Sequence, residues 1–264
     1  MANSEENKET ERIVFERIER RRLKRIKDKD LYETVEEVFD RSTLMGLYEL
    51  INRGFIDVMY GVVNAGKEAR VYWAKNADGE DVAVKIYLTS TAEFRRSMSL
   101  YIEGDPRFVG VRRDTRSLIY AWARKEFRNL KRAYEAGVRV PKPYAVNKNI
   151  LVMEFIGENG APAPLLKDYL PADLKSFFSE VFEFVRLLYV KAKLVHADLS
   201  EYNIMVWNDR PVFIDIGQGV LLDHPMAEEF LVRDLENLLN FFIKVGLDVP
   251  SLEEALRWVK GEPQ

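Results

Sequence analysis

Among the 264 residues of the chain, the densest run of side chains able to do chemistry is His196-Ala197-Asp198-Leu199-Ser200-Glu201-Tyr202-Asn203, followed twelve residues later by Asp215-Ile216-Gly217. Moving a phosphoryl group from ATP to an acceptor takes a carboxylate beside the attacking oxygen and oxygen ligands for magnesium. Asp198 and Asn203 stand five apart on one loop, so one can face the acceptor while the other faces a metal. Asp215 ends an apolar strand just before a glycine and can hold a second face of the ion against the phosphates. A hairpin whose Asp198 and Asn203 only cap turns would account for each residue singly. It does not account for the set, framed by the apolar runs IMVW and VFID.

A second group lies upstream. Val82-Ala83-Val84-Lys85-Ile86-Tyr87 places one lysine among small and apolar residues, which puts a cation on one face of an otherwise packed strand. Alone, it would read as a lysine snorkelling from an edge. Before it, Gly66-Lys67-Glu68-Ala69-Arg70-Val71 lies between strands, and its backbone amides are placed to cover phosphates. Together these sketch a phosphate lid and a phosphate-binding lysine. Gly61 to Lys67 also fits the first seven positions of a P-loop. The eighth must be Ser or Thr to ligate magnesium, and it is Glu68. A P-loop also feeds a helix, whereas EARVYWAK reads as a strand. The P-loop is rejected.

The elements that must hold these groups fall into a strand-rich half and a helical half. FIDVMYGVV, EARVYWAK and EDVAVKIYL are rich in β-branched and aromatic residues, the last two joined by the hairpin turn Asn76-Ala77-Asp78-Gly79. A helix is expected near 42–53, ending at Gly54, and a long amphipathic one over about 118–136, ending at Gly137. Short strands follow at 144–147 and 150–155. Pro171 opens a helix to about Lys193. A strand, a turn at Asn208-Asp209 and a second strand come next, then helices at about 225–246 and 251–260. Residues 89–117 mix polar and basic residues with Gly and Pro and read as partly helical, partly mobile. Residues 1–40 carry Ile13 to Val38 at helical spacing and the cluster Arg20-Arg21-Arg22-Leu23-Lys24-Arg25, read as a solvated helix face rather than an RNA contact.

Composition excludes several classes. The chain has no cysteine and two histidines, His196 and His224, which removes disulfide staples, thiolate metal sites and His-rich metal sites. Charge is abundant but balanced at −3, unlike the basic footprint of a nucleic-acid binder. The wealth of Lys, Arg and Glu is that of proteins from heat-loving organisms. The polar start is no signal peptide, and no apolar run approaches the roughly 18–20 residues that span a bilayer. A cytoplasmic protein without a membrane partner is expected. Nothing in the sequence specifies an oligomer.

The order VAVK, HxDLxxxN and DxG resembles the protein-kinase superfamily. GKEARVY, WARKEFRNL, HADLSEYNIM, IDIGQGV and DHPMAEEFLVRDLENLLNFF are similar to the type-1 branch of the RIO family of atypical kinases, as found in archaea, over roughly residues 45–245. The resemblance implies an α+β, bilobal protein-kinase-like fold. Its parts would be an N-terminal helical extension (1–53), a β-rich N-lobe (54–155) with a mobile insertion at about 89–117, and a reduced helical C-lobe (156–264).

It implies roles as well. Lys85 would bind the α- and β-phosphates and be oriented by Glu126, with Glu103 as the alternative. Lys67 lies in the lid. Val71 and Ala83 would press on the adenine ring, Met153 would be the gatekeeper, and the Glu154 carbonyl and Ile156 amide would meet the base. Asp198 would be the catalytic aspartate. Asn203 and Asp215 would ligate Mg2+ (or Mn2+), and Asp215 could carry a transient phosphoryl group.

Departures from the pattern matter. The lid keeps one glycine of three, Ala197 stands where an arginine is usual, and Ser200 stands where a lysine is frequent. About 47 residues follow Gly217, so a peptide-docking subdomain is not expected. Three functions stay open. One is a serine/threonine protein kinase that phosphorylates itself, with Ser97 or Ser99 as candidate acceptors. Another is an ATPase switch on precursors of the small ribosomal subunit (protein and rRNA), to which Arg95-Arg96 and Arg112-Arg113 would contribute. The last is a small-molecule kinase of the aminoglycoside or choline type.

Overall fold

The computed structural model describes residues 39–89 and 98–261. The amphipathic pattern from Ile13 to Val38, the basic cluster Arg20–Arg25, Arg95, Arg96 and Ser97 lie outside the described residues. Two compact units divide the rest. The first holds residues 39–89, 110–124 and 143–161; the second holds 98–109, 125–142 and 162–261.

The first unit is built on an antiparallel sheet of β1 (Val58–Ala65), β2 (Ala69–Lys75), β3 (Asp81–Tyr87), β4 (Pro143–Asn147) and β5 (Ile150–Glu154), in the order β1-β2-β3-β5-β4. The β2–β3 turn closes as the sequence predicts. Asn76 accepts from the Asp78 and Glu80 amides at 3.1 and 2.8 Å, and Gly79 takes φ +81°. Strand periodicity then sorts the side chains. Tyr72, Ala74, Val82, Val84, Ile86, Ile150 and Val152 point to one face and are buried against α1 (Arg41–Asn52) through Leu44, Leu47, Leu50 and Ile51. Each such leucine contributes about 1.5–3 kcal/mol by leaving water.

Asp40 starts α1 by accepting from the Thr43 amide at 2.8 Å, and Gly54 at φ +77° comes just after its end. Buried Asn149 ties helix to sheet, donating to the Tyr87 carbonyl at 2.8 Å and to Thr43 Oγ1 at 2.9 Å. Gly157–Glu158 (β6) and Ala161–Pro162 (β7) then form a small hairpin.

A 21-residue helix, α2 (Thr115–Glu135), runs in the chain from the first unit into the second. In the second unit, residues 98–102 are helical. The helix expected from Pro171 begins later, as α3 (Leu174–Leu187), because the Asp173 side chain caps it by accepting from the Ser176 amide at 3.0 Å. It runs on as a π turn to Ala192 and stops at Lys193, which is left-handed at φ 53°.

Short strands β8 (Leu194–Val195) and β11 (Val220–Leu221) pair with each other. Between them β9 (Ile204–Trp207) and β10 (Arg210–Phe213) make a hairpin whose Asn208 and Asp209 have φ 52° and 55°, the turn that matches strand twist. The helices α4 (Ala227–Lys244) and α5 (Leu252–Lys260) complete the unit. A capping box between Ser251 and Glu254 opens α5. Phe178 on α3 meets Phe242 on α4 edge to face at 4.9 Å. No helix among the described residues is long and apolar enough to cross a membrane.

Candidate active site

Four sequence-predicted residues of the first unit lie on the sheet face opposite α1. Val71 lies across from Lys85, and Lys85 from Leu151; two residues along, Trp73 lies across from Ala83, and Ala83 from Met153. Residues directly opposite in an antiparallel ladder share a face, as do positions two apart. Val71, Ala83, Lys85 and Met153 therefore make one patch, apolar except for one cation. Lys85 is 7% exposed, its ammonium 5.1 Å from the Tyr87 ring centre.

Glu154 ends β5 opposite Val82, and buried Ile156 lies two residues further on. Lys67 is exposed on the β1–β2 turn, which closes through the Gly66 amide on the Ala69 carbonyl at 3.0 Å. That turn leads into strand β2 rather than a helix, as the rejection of the P-loop requires. Glu126 is buried on α2, while Glu103, the alternative, is exposed.

The second unit brings Asp198 and Asn203 together. The Asn203 amide nitrogen donates to the Asp198 carbonyl at 2.6 Å and to its carboxylate at 3.1 Å. A planar amide with its nitrogen so engaged turns its oxygen the other way. The Ile214 amide donates to the Asn203 carbonyl at 3.0 Å, which sets Asp215 one residue beyond that pairing. Asp215 is exposed and left-handed at φ 57°, a conformation that costs a residue with a Cβ about 1–2 kcal/mol. The donors here, an amide oxygen and a carboxylate, are hard oxygen ligands of the kind that suit Mg2+, which takes one or two carboxylates and leaves the remaining positions to phosphates and water.

Below these residues sits a prop. Burial pushes the His196 imidazole down to about 4, so it is neutral near pH 7 and donates from Nε2 to the Ile214 carbonyl at 3.1 Å. It ties the loop to the residue just before Asp215.

Sequence reasoning missed the residues that hold this loop from behind. Ala197, next to the candidate catalytic aspartate, is left-handed at φ 66° and fully buried. Asp234 on α4 accepts from the Ala197 amide at 2.7 Å and the Leu199 amide at 2.9 Å, one to each carboxylate oxygen. Arg233 donates to the Ala197 carbonyl. Burial pushes the Asp234 carboxyl up to about 7, against the two amides and Arg233, which favour the carboxylate. The available signal was a carboxylate amid the buried stripe Phe230, Leu231, Leu235 and Leu238 of α4. A charge on an apolar helix face is rare unless it is paired.

A lysine on the apolar face of an antiparallel sheet, with an Asp–Asn loop and an Asp-x-Gly turn further along the chain, places the protein in the protein-kinase-like class. Its fold matches the crystal structure of the Rio2 kinase–ADP/Mg2+–phosphoaspartate complex from Chaetomium thermophilum with a TM-score of 0.61, over 84% of this chain and 67% of that one, at 21% identity. The family is narrower. A RIO domain is recognised over residues 70–255, and the chain belongs to the RIO family of atypical serine/threonine-protein kinases.

It is 45% identical over 240 residues to the RIO-type serine/threonine-protein kinase Rio1 of Haloferax volcanii, covering 90% of this chain and 82% of that protein. To the RIO-type serine/threonine-protein kinase Rio1 of Methanocaldococcus jannaschii it is 43% identical over 230 residues, covering 87% of this chain and 78% of that protein. The type-1 branch expected from the sequence is thus supported.

Proposed function

We propose that this chain transfers the γ-phosphoryl group of ATP to serine or threonine hydroxyls, its own among them, and hydrolyses ATP when no hydroxyl is presented. The observation that carries the reading is the Asn203–Asp198 pair, with Asp215 one residue beyond the strand bond that joins the two segments. Asp198 orients the acceptor hydroxyl and takes its proton as the oxygen bonds to the γ-phosphorus and the bond to the β-phosphate oxygen breaks. Asn203, through its amide oxygen, and Asp215 would hold Mg2+, which when bound offsets the charge of the phosphates. Lys85 meets the α- and β-phosphates, oriented by Glu126. Val71, Ala83 and Met153 make the apolar bed of the adenine, Glu154 and Ile156 offer it backbone groups, and Lys67 borders the phosphates from the lid turn.

A second reading, an ATPase switch on small-subunit ribosomal precursors, is favoured by what surrounds Asp215. It is exposed, and a carboxylate so placed can attack the γ-phosphorus itself, breaking its bond to the bridging oxygen and releasing ADP, to give an acyl phosphate that water then cleaves to free phosphate and the carboxylate. The fold neighbour from Chaetomium was solved as a phosphoaspartate complex. Among the described residues only α4 and α5 come after this segment, which supplies little platform for a peptide.

The test is a time course with γ-labelled ATP and Mg2+ on wild type, Asp198→Ala and Asp215→Ala. The expected result for Asp198→Ala is loss of transfer to hydroxyls by about a thousandfold or more, with ATP still bound. Undiminished transfer would remove Asp198 from the chemistry. Label stable on serine in excess of free phosphate supports the kinase. Mostly free phosphate, with a base-labile pool lost in Asp215→Ala, supports the switch.

A further inference from the structure

The four residues after Asp215 are held in an unusual way. Each of their carbonyls, from Ile216 to Gly219, accepts from the side chain of another part of the second unit. Lys125 Nζ donates to Gly217 and Gln218 at 2.9 and 3.0 Å. Asn129 Nδ2 donates to Ile216 and Gly219 at 2.8 and 2.9 Å. Arg107 reaches Gly219 at 3.2 Å, and its other donors bond Asn129 Oδ1 at 2.6 Å and both oxygens of Asp105.

Lys125 is 1% exposed, Asn129 0% and Asp105 3%. Lys125 and Asn129 stand four apart on α2, one above the other on a single face. Burial and the neighbouring Arg107 hold the Lys125 ammonium well below its usual value, with Asp105 pulling the other way.

Burying an ammonium carries a heavy desolvation penalty before any partner is counted. A site that needed only to be filled would take Met or Leu. What the lysine adds is a fixed pair of donors against a backbone that forms no helix or sheet of its own from Ile216 to Gly219. Gly219 completes the fit, since a Cβ there would lie 3.0 Å from both Asn129 Nδ2 and the Ile216 carbonyl.

We propose that Lys125, with Asn129 and Arg107, is a positioning residue that holds the Asp215 carboxylate at its ligand position by clamping the backbone behind it. The segment is thereby set by the fold itself, before any nucleotide or modification. The proposal rests on the reading of Asp215 as a magnesium ligand.

The test uses the full chain as wild type, Lys125→Met and Gly219→Ala. Two quantities are read: amide hydrogen exchange over 216–220 without nucleotide or metal, and the Mg2+ concentration that half-saturates labelled transfer. Loss of one charge-assisted hydrogen bond corresponds to about a tenfold effect or more. Lys125→Met should therefore keep a cooperative melt, speed exchange over 216–220 by about tenfold, and raise the Mg2+ half-saturation by a similar factor. Gly219→Ala should do the same to a lesser degree by displacing Asn129.

A folded Lys125→Met with wild-type exchange and Mg2+ requirement overturns the proposal. Should Lys125→Met not fold, Gly219→Ala, which leaves the lysine in place, decides by the same readouts. Wild type without any transfer would sink the reading of the site, while the exchange comparison would still stand or fall on its own.

Discussion

The two units hold their candidate residues by opposite means. In the first, Val71, Ala83, Lys85 and Met153 share a face because strands alternate and the ladder is in register. No residue among them takes a left-handed backbone. In the second, Asp198 sits beside left-handed Ala197, and Asp215 is left-handed itself. The backbone there is held by buried polar side chains, Asp234 for the loop and Lys125 and Asn129 for the segment after Asp215. A regular sheet suffices to present one cation on an apolar bed. The Asp198–Asn203 loop and the Asp215 segment use irregular backbone instead, which persists only where surrounding groups over-determine it.

The contrast can be broken most severely at Asp234. Asp234→Ala leaves two buried amides unpaired, each costing about 1–3 kcal/mol. Transfer should fall by about a hundredfold or more with a clear drop in melting temperature, read by labelled transfer and calorimetry. Near-normal activity would show that the loop holds its shape unaided.

At Lys85 the regular half is probed. Lys85→Ala should raise the ATP concentration for half-saturation by about tenfold or more, as for a lost charge-assisted bond, with the melt little changed because the sheet face is otherwise intact. An unchanged ATP dependence would take Lys85 out of the site.

A smaller effect is expected at Gly160, whose added Cβ would lie 2.5 Å from the Trp73 ring at φ +82°. Gly160→Ala should cost about 1–3 kcal/mol in a melt while leaving transfer well below the melting point near wild type.

The mildest test is a titration. The Asp234 carboxyl is pushed up to about 7 in the fold from 3.8. A carboxyl so raised contributes its stability in full below 3.8 and loses it as pH climbs through 7. Asn at 234 cannot titrate, so the melting temperature of wild type relative to Asp234→Asn should decline from about pH 4 to about pH 7 and level off above that. A flat difference would mean that the two amides and Arg233 keep Asp234 ionised throughout.

Much was legible in the sequence because its signals are local. Alternation marked β2 and β3, the Asn76–Gly79 turn fixed their pairing, and Asn208-Asp209 fixed that of β9 and β10. The motif residues Lys85, Asp198, Asn203 and Asp215 stand out by chemical type and order along the chain. The helix α3 starts three residues after Pro171 because Asp173, two residues past the proline, supplies the cap.

The family, the strand-rich and helical halves and the candidate residues Lys85, Asp198, Asn203 and Asp215 were legible in the sequence alone, since periodicity and motif spacing act over a few residues. Only the tertiary structure decided what holds them. Asp234 lies 37 residues from Ala197, and Lys125 lies 92 from Gly217. Along the chain each is one charge among others on an amphipathic helix; its purpose is set by the backbone groups that folding brings to it.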